Sequence, residues 1–313
     1  MISSNAPQCN KEALQETVEA ELFINAFSKF IRKSNINVYR VAVMTGNGKS
    51  QVETYQACNP CQNSYSVSKF FTLTAIGLLW DDGLIEMDER LSDIFGGLCP
   101  PDMPVEWNDR TVEMAILHHC GLPSGYLDID SQDALDFGKD YLSYVLSTPP
   151  GDPAEYSYTD AEFYLLSRVV SIRSGKPMLE YLWEKLFAPL EFREVAWSSC
   201  PMNHPMGATG LYIRTEDMVK LGALYLNKGV YNGYRILSEK WIDTVIKKEY
   251  LHPYTPYGYG HGGMRGQMLA VFPEHKFAVA WHGFHDKNGD IKSWIEAFLT
   301  NNYKPEYDHS SNV

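Results

Sequence analysis

A chain of 313 residues, 44% hydrophobic and 13% aromatic, is long enough to bury a large core as one big domain or two intimate ones. Its formal charge of −12 argues against nucleic acid and anionic membrane surfaces as partners. No apolar run reaches the ~18 residues of a membrane-spanning helix. The start, MISSNAPQCNKEALQ, has neither the basic nor the apolar region of a signal peptide. As given, the chain reads as cytoplasmic, with a removed leader on a longer precursor left open. Cys9, Cys58, Cys61, Cys99, Cys120 and Cys200 are scattered, so free thiols are expected.

In chain order, residues 1–10 read as a loose leader. Residues 11–32 are expected to form a helix with Phe23, Phe27, Phe30 and Ile31 on one stripe. Strands follow at 38–44 and 51–55, joined by the Gly46-Asn47-Gly48 turn. The segment TGNGKS is no phosphate loop: the position where the first glycine belongs holds Val43, and a strand follows instead of a helix. Cys58-Asn59-Pro60-Cys61 has no second ligand pair at zinc spacing, so no metal is expected there.

Next comes NSYSVSKFFTLTAIGLLWDDG. Asn63 and Ser64 are candidate helix caps, the apolar run 70–80 is helical, and Gly83 is the stop. Ser66 is then expected in the first turn, with Lys69 three residues on and on the same face. A hydroxyl becomes nucleophilic when a base removes its proton, and a lysine whose pKa is depressed supplies one. The helix N-terminus favours developing negative charge. Ser68 points to another face and is read as structural.

Residues 84–150 are helices and loops broken by Pro and Gly. A short helix over 111–119 ends at Gly121, and His119 is read as a core or supporting residue rather than a base. Asp160 is expected to cap a helix carrying Phe163, Leu166, Val169 and Val170, with Tyr158 at the same junction. Thr215 and Ser238 are read as caps of helices over 215–226 and 238–248. Strands are expected at 258–263, 267–272 and 277–282. A last helix opens at Asp290, and 303–313 form a polar tail. Hairpins from both chain ends can pair into one antiparallel sheet, with the first and last helices on one face and a helical insertion as a second lobe. The fold class is therefore α/β of the α+β type. The α/β lobe would comprise about 11–65 and 205–302, and the helical lobe about 66–204, with a cleft between.

Three elements in order carry a resemblance: Ser66-x-x-Lys69, Tyr158-Thr159-Asp160 and His261-Gly262-Gly263. With the softer stretches LHHCGLPSG and GLYIRTEDMVKLGALYLNKG, the chain resembles the serine β-lactamase and penicillin-binding-protein superfamily over roughly residues 20–300. It is similar in style to the esterase-like and D-peptidase-like members related to class C β-lactamases. The resemblance implies a single catalytic domain of β-lactamase/transpeptidase type. It implies a serine hydrolase that passes through an acyl-enzyme on a small ester, amide or short D-amino-acid peptide, with no cofactor and no metal. Ser66 would be the nucleophile, with Lys69 and Tyr158 sharing the proton work: in contact, a charged Lys69 would favour the phenolate, and Tyr158 would serve as base and later acid. The backbone N–H groups of Ser66 and Met264 would form the oxyanion hole. Asp160, His261, Gly262 and Gly263 would orient substrate, and Arg265 and Gln267 follow the third motif.

Two positions depart from the family pattern. Asp160 stands for the usual Asn, and His261 for the usual Lys. A histidine is only partly charged near pH 7, so a carboxylate-bearing substrate loses its fixed cation. β-Lactamase or D-alanyl-D-alanine carboxypeptidase activity is one alternative, and an inactive family member that binds a ligand is another. Oligomeric state is not readable.

Overall fold

The computed structural model describes residues 11–302, with side chains over 19–301. The expected leader and polar tail lie outside the described residues. The helices are α1 (Lys11–Ser34), α2 (Ser68–Asp81), α3 (Leu91–Phe95), α4 (Val112–Ile116), α5 (Tyr141–Leu146), α6 (Ala161–Ser174), α7 (Met178–Leu182), α8 (Thr215–Leu226), α9 (Glu239–Lys247) and α10 (Asn288–Asn302). The strands are β1 (Val38–Thr45), β2 (Ser50–Thr54), β3 (Cys61–Asn63), β4 (Val195–Trp197), β5 (Leu211–Arg214), β6 (Val230–Tyr231), β7 (Tyr234–Arg235), β8 (Pro253–Thr255), β9 (Gly258–Gly262), β10 (Met268–Phe272) and β11 (Phe277–Gly283).

The main sheet runs β2-β1-β11-β10-β9-β8, and every neighbouring pair is antiparallel. Strands from the two chain ends meet at its centre, where Val38 pairs with Gly283 and Thr45 with Phe277. The two-residue alternation of a strand splits its side chains between two cores. Val41, Val43, Met268, Ala270, Phe272, Val279 and Trp281 face α1 and α10. Ala42, Met44, Leu269, Val271, Ala278 and Ala280 face the larger core, which continues through the helices.

The apolar stripe of α1 lands as its spacing requires. Phe23 meets Phe277 at 4.9 Å between ring centroids, Phe27 meets Trp281 at 5.5 Å, and Phe30 stacks on Trp294 of α10 at 5.0 Å. On the other face, α8 lies close against β10 and β11 because Gly222 has no side chain: a Cβ there would sit 2.7 Å from the Cβ of Ala278. The helix α2 is buried on all sides from Ser68 to Leu79, which explains its unbroken apolar run. Asp82 caps its C-terminus and Gly83 follows at φ +67°, the left-handed stop that the sequence indicates.

Three helix starts differ from expectation. Ser66 lies in a 3₁₀ turn, Tyr65–Val67, that precedes α2 instead of within its first turn. Asp160 occupies the N-cap of α6 without bonding the helix backbone. Arg214 is the N-cap of α8, and Thr215 begins the helix. Ser238 caps α9 as expected and accepts from Trp241 N–H. The small sheet β3-β5-β4 was not foreseen, since strands of three or four residues carry too little periodicity to read.

Candidate active site

The candidate nucleophile sits where the small sheet hands over to α2. Asn63 pairs with Tyr212 of β5, and Ser64 N–H donates to Leu211 O at 2.8 Å. Tyr65 then takes φ +46°, a left-handed backbone that costs a β-carbon residue of order 1 kcal/mol and persists only when its surroundings impose it. They do: the side chain of Asn63 accepts Tyr65 N–H at 2.9 Å, and Ser68 Oγ donates to Tyr65 O at 2.6 Å. Ser68 Oγ also accepts Leu211 N–H at 3.2 Å, so Ser68 is structural as expected. Behind the turn, Ser64 Oγ bonds His282 Nε2 at 3.1 Å, and His282 Nδ1 bonds Thr215 Oγ1 at 2.8 Å. Ser64 and Thr215, read as caps, serve as anchors for a buried imidazole.

Lys69 Nζ is fully buried and points at Ser66 Oγ, 3.4 Å away. Its other partners are Asp160 Oδ1 at 2.6 Å and Ala208 O at 3.2 Å. Burial pushes the ammonium toward deprotonation, but the Asp160 carboxylate and Tyr158 outweigh it, so the lysine pKa lies above its ordinary value. Of the two roles open to the lysine, a base with a depressed pKa and a cation beside a Tyr158 base, the shift favours the second. Asp160 does not cap its helix because its carboxylate is spent on Lys69.

The Tyr158 ring lies 4.7 Å from Lys69 Nζ. The same ring packs on His118, with centroids 4.7 Å apart. His118 Nδ1 is 2.9 Å from Glu162 Oε2, and both residues are buried. The sequence reading missed both, weighing His119 instead. His119 binds Pro153 O from a half-buried position.

The third motif lies at the end of β9, against the Ser66 turn. Gly263 is required there: a Cβ would sit 2.7 Å from Ser64 O and 2.9 Å from Gln267 Oε1. Gly263 N–H is taken by Gln267 O at 2.9 Å, and Gln267 Nε2 donates to Gly283 O. The turn next presents Met264, whose side chain is exposed. His261 Nδ1 bonds Gly262 O at 2.9 Å. Burial and the nearby Lys69 charge push the His261 pKa down to about 3, so it is neutral at pH 7 instead of partly charged. Arg265 is turned onto the Phe284 ring, 5.5 Å from its centroid.

Asp128 and Asp130 bring carboxylate oxygens within 4.8 Å of Asp160. Lys69 faces this group, and Thr209 Oγ1 bonds Asp130. Cys58, Cys61, Cys99, Cys120 and Cys200 are free thiols, as expected. Burial and Glu194 push the Cys61 pKa up to about 11. A cavity of about 530 Å³ opens between the β1–β2 turn and the β6–β7 hairpin, lined by Asn47, Asn227 and Lys228. It lies past the Phe277 end of β11, whereas His282 and the Ser66 turn are at the other end.

The buried histidines give stability a sign with pH. Burial lowers His118 and His282 to about 3, below their unfolded value. Their stabilisation is therefore complete above about pH 6.5 and is lost as pH falls toward 3. Burial raises Glu162 to about 8, so its contribution is present below about 4.5 and is lost as pH rises through 8. Urea unfolding midpoints should peak near pH 6.5 and fall on the acid side, by about 1.4 kcal/mol per pH unit for each net proton. A midpoint that stays flat from pH 6.5 to 4.5 would contradict neutral burial of these rings.

A sequence model of the Beta-lactamase family matches residues 43–290. The chain belongs to that family. It is similar to a 6-aminohexanoate-dimer hydrolase of Paenarthrobacter ureafaciens, 23% identical over 263 residues, covering 72% of this chain and 58% of that protein. Penicillin-binding protein 4 of Amycolatopsis lactamdurans is 30% identical over 131 residues, 41% of this chain and 33% of that protein. The chain thus spans about three-fifths and one-third of these two curated relatives.

Among solved structures, a Bacillus anthracis protein assigned provisionally as a 6-aminohexanoate-dimer hydrolase superposes with TM-score 0.73 at 16% identity, over 89% of this chain and 83% of the other. The penicillin-binding protein from Bacillus halodurans gives 0.64 at 18%, over 87% and 99%. At these identities the likeness is one of fold: a mixed α/β architecture of β-lactamase/transpeptidase type. One of the curated relatives and one of the solved structures carry the name of a hydrolase. Among the described residues no helix is long and apolar enough to cross a membrane.

Proposed function

We propose that this chain is a serine hydrolase that acts through an acyl-enzyme on small esters or amides. The observation that carries the reading is the convergence of Ser66 Oγ, the buried Lys69 ammonium, Asp160 and the Tyr158 ring. Ser66 Oγ attacks the acyl carbon. With Lys69 held as an ammonium, Tyr158 acts as a phenolate that takes the Ser66 proton, and Lys69 stabilises the negative charge as it passes from the phenolate oxygen to Ser66 Oγ. Tyr158 returns the proton to the leaving group, and water then releases the acid along the same route. The N–H groups of Ser66 and Met264 are the oxyanion donors, each worth of order 3 kcal/mol of barrier. Asp160 fixes the charge on Lys69, and His261, Gly262 and Gly263 form the strand edge along which substrate lies.

The neutral His261 selects against substrates held by a carboxylate, the contact that a fixed cation at this position would make. The panel that tests this pairs p-nitrophenyl butyrate and a D-alanyl amide with a cephalosporin. The 6-aminohexanoate dimer joins them because two similar proteins carry that name. Turnover of ester and amide, with the cephalosporin at least about 100-fold poorer in kcat/KM, is expected; that ratio corresponds to about 2.7 kcal/mol. A cephalosporin hydrolysed faster than the ester would reverse the assignment of substrate class.

A further inference from the structure

Glu162 has no part in the chemistry above, yet it is buried completely next to the site. Its Oε2 meets His118 Nδ1 at 2.9 Å and accepts from Thr159 Oγ1, and its Oε1 accepts Cys120 N–H at 3.3 Å. His118, in turn, brackets Tyr158. Its carbonyl accepts Ser157 N–H at 3.0 Å, its Nδ1 accepts Thr159 N–H at 3.4 Å, and its ring lies against the Tyr158 ring. The residues on both sides of Tyr158 are thus tied to one histidine. That histidine has φ +59°, a left-handed backbone sustained by the same contacts.

We propose that His118 and Glu162 hold Tyr158 in place through one shared proton, and that both are positioning residues for the proton transfer at Ser66. The proposal rests on the acyl-transfer reading of Tyr158. The hydrogen-bond pattern places the proton. Thr159 N–H already points at His118 Nδ1, so Nδ1 is an acceptor and the carboxyl supplies the bridging hydrogen. The imidazole then carries its own hydrogen on Nε2. Burial acts in the same direction on both partners, lowering His118 to about 3 and raising Glu162 to about 8. The charged and titratable groups around them are Lys69 on α2, Asp160 at the start of α6, His119 and Cys120 after α4, His252 before β8, and His261 on β9. Lys69 disfavours a second positive charge on His118, and burial outweighs its pull on the Glu162 carboxyl, so both partners stay neutral. When Glu162 loses its proton at alkaline pH, two acceptors face each other, and the tie on Tyr158 loosens.

Nitrogen NMR of histidine-labelled full chain, without substrate, reads the tautomer directly. At pH 7 His118 should show a bare Nδ1 and a protonated Nε2. Kinetics with p-nitrophenyl butyrate supply the second reading. Glu162→Ala should lower kcat about 100-fold, the cost of a misplaced catalytic group, with little change in KM. Glu162→Gln keeps a donor for Nδ1 and should recover at least about 10-fold of that loss. The parent should show an alkaline limb in kcat near pH 8, and the Gln variant should lack it.

A proton on Nδ1 at pH 7, equal kcat losses in the Ala and Gln variants, or an unmoved alkaline limb would each overturn the proposal. If Glu162→Ala does not fold, the Gln variant and the tautomer still decide. A parent enzyme that takes no acyl group on Ser66 would overturn the hydrolase reading instead, and the tautomer alone would then judge the shared proton.

Discussion

Lys69→Met is expected to lower stability by about 3–5 kcal/mol in urea unfolding, the usual cost of stripping a buried charge of its partner. Methionine fills nearly the same volume, so the loss comes from charge rather than from a void. The Asp160 carboxylate loses the ammonium that bonded it at 2.6 Å, and among the described residues no other cation is bonded to it. Activity should fall by at least about 1,000-fold, since the charge beside Ser66 Oγ and Tyr158 goes with it. The double variant Lys69→Met/Asp160→Asn separates the two effects. It should regain at least about 2 kcal/mol while activity stays lost. A single variant as stable as the parent would mean that the Lys69–Asp160 pair does not tie α2 to the start of α6.

Tyr158→Phe should have the opposite signature. The ring keeps its packing on His118, so stability should stay within about 1 kcal/mol. The hydroxyl that takes and returns the proton is gone, and kcat should fall about 100- to 10,000-fold, the range that general acid–base groups supply. Burst kinetics with a p-nitrophenyl ester would show whether acylation, deacylation or both slow down. Undiminished kcat would remove Tyr158 from the proton path and return attention to the Lys69–Asp160 pair.

Much of the architecture was readable because it depends on local period. The stripe of α1, the alternation in β1, β10 and β11, and the unbroken apolar run of α2 each declare a face. The candidate site was readable where a motif keeps its residues close in sequence, as Ser66 with Lys69 does. It was not readable where partners are remote. His118 and Glu162 are 44 positions apart, and neither neighbourhood signals the other. Asp160 looked like a cap because an aspartate before an apolar helix usually is one. Only the fold reveals Lys69, 91 positions earlier, as its partner. That one contact also decides between a neutral and a charged lysine, which the Ser66 spacing alone leaves open. Ser64 and Thr215 misled in the same way, since His282 claims both hydroxyls.

The claim on which all of this stands is that Ser66 is a working nucleophile. Intact-protein mass after incubation with a fluorophosphonate, followed by peptide mapping, tests it most directly. The account predicts one adduct, on Ser66, that is absent from folded Ser66→Ala protein. A folded parent protein that gains no adduct, or gains one elsewhere, would contradict it.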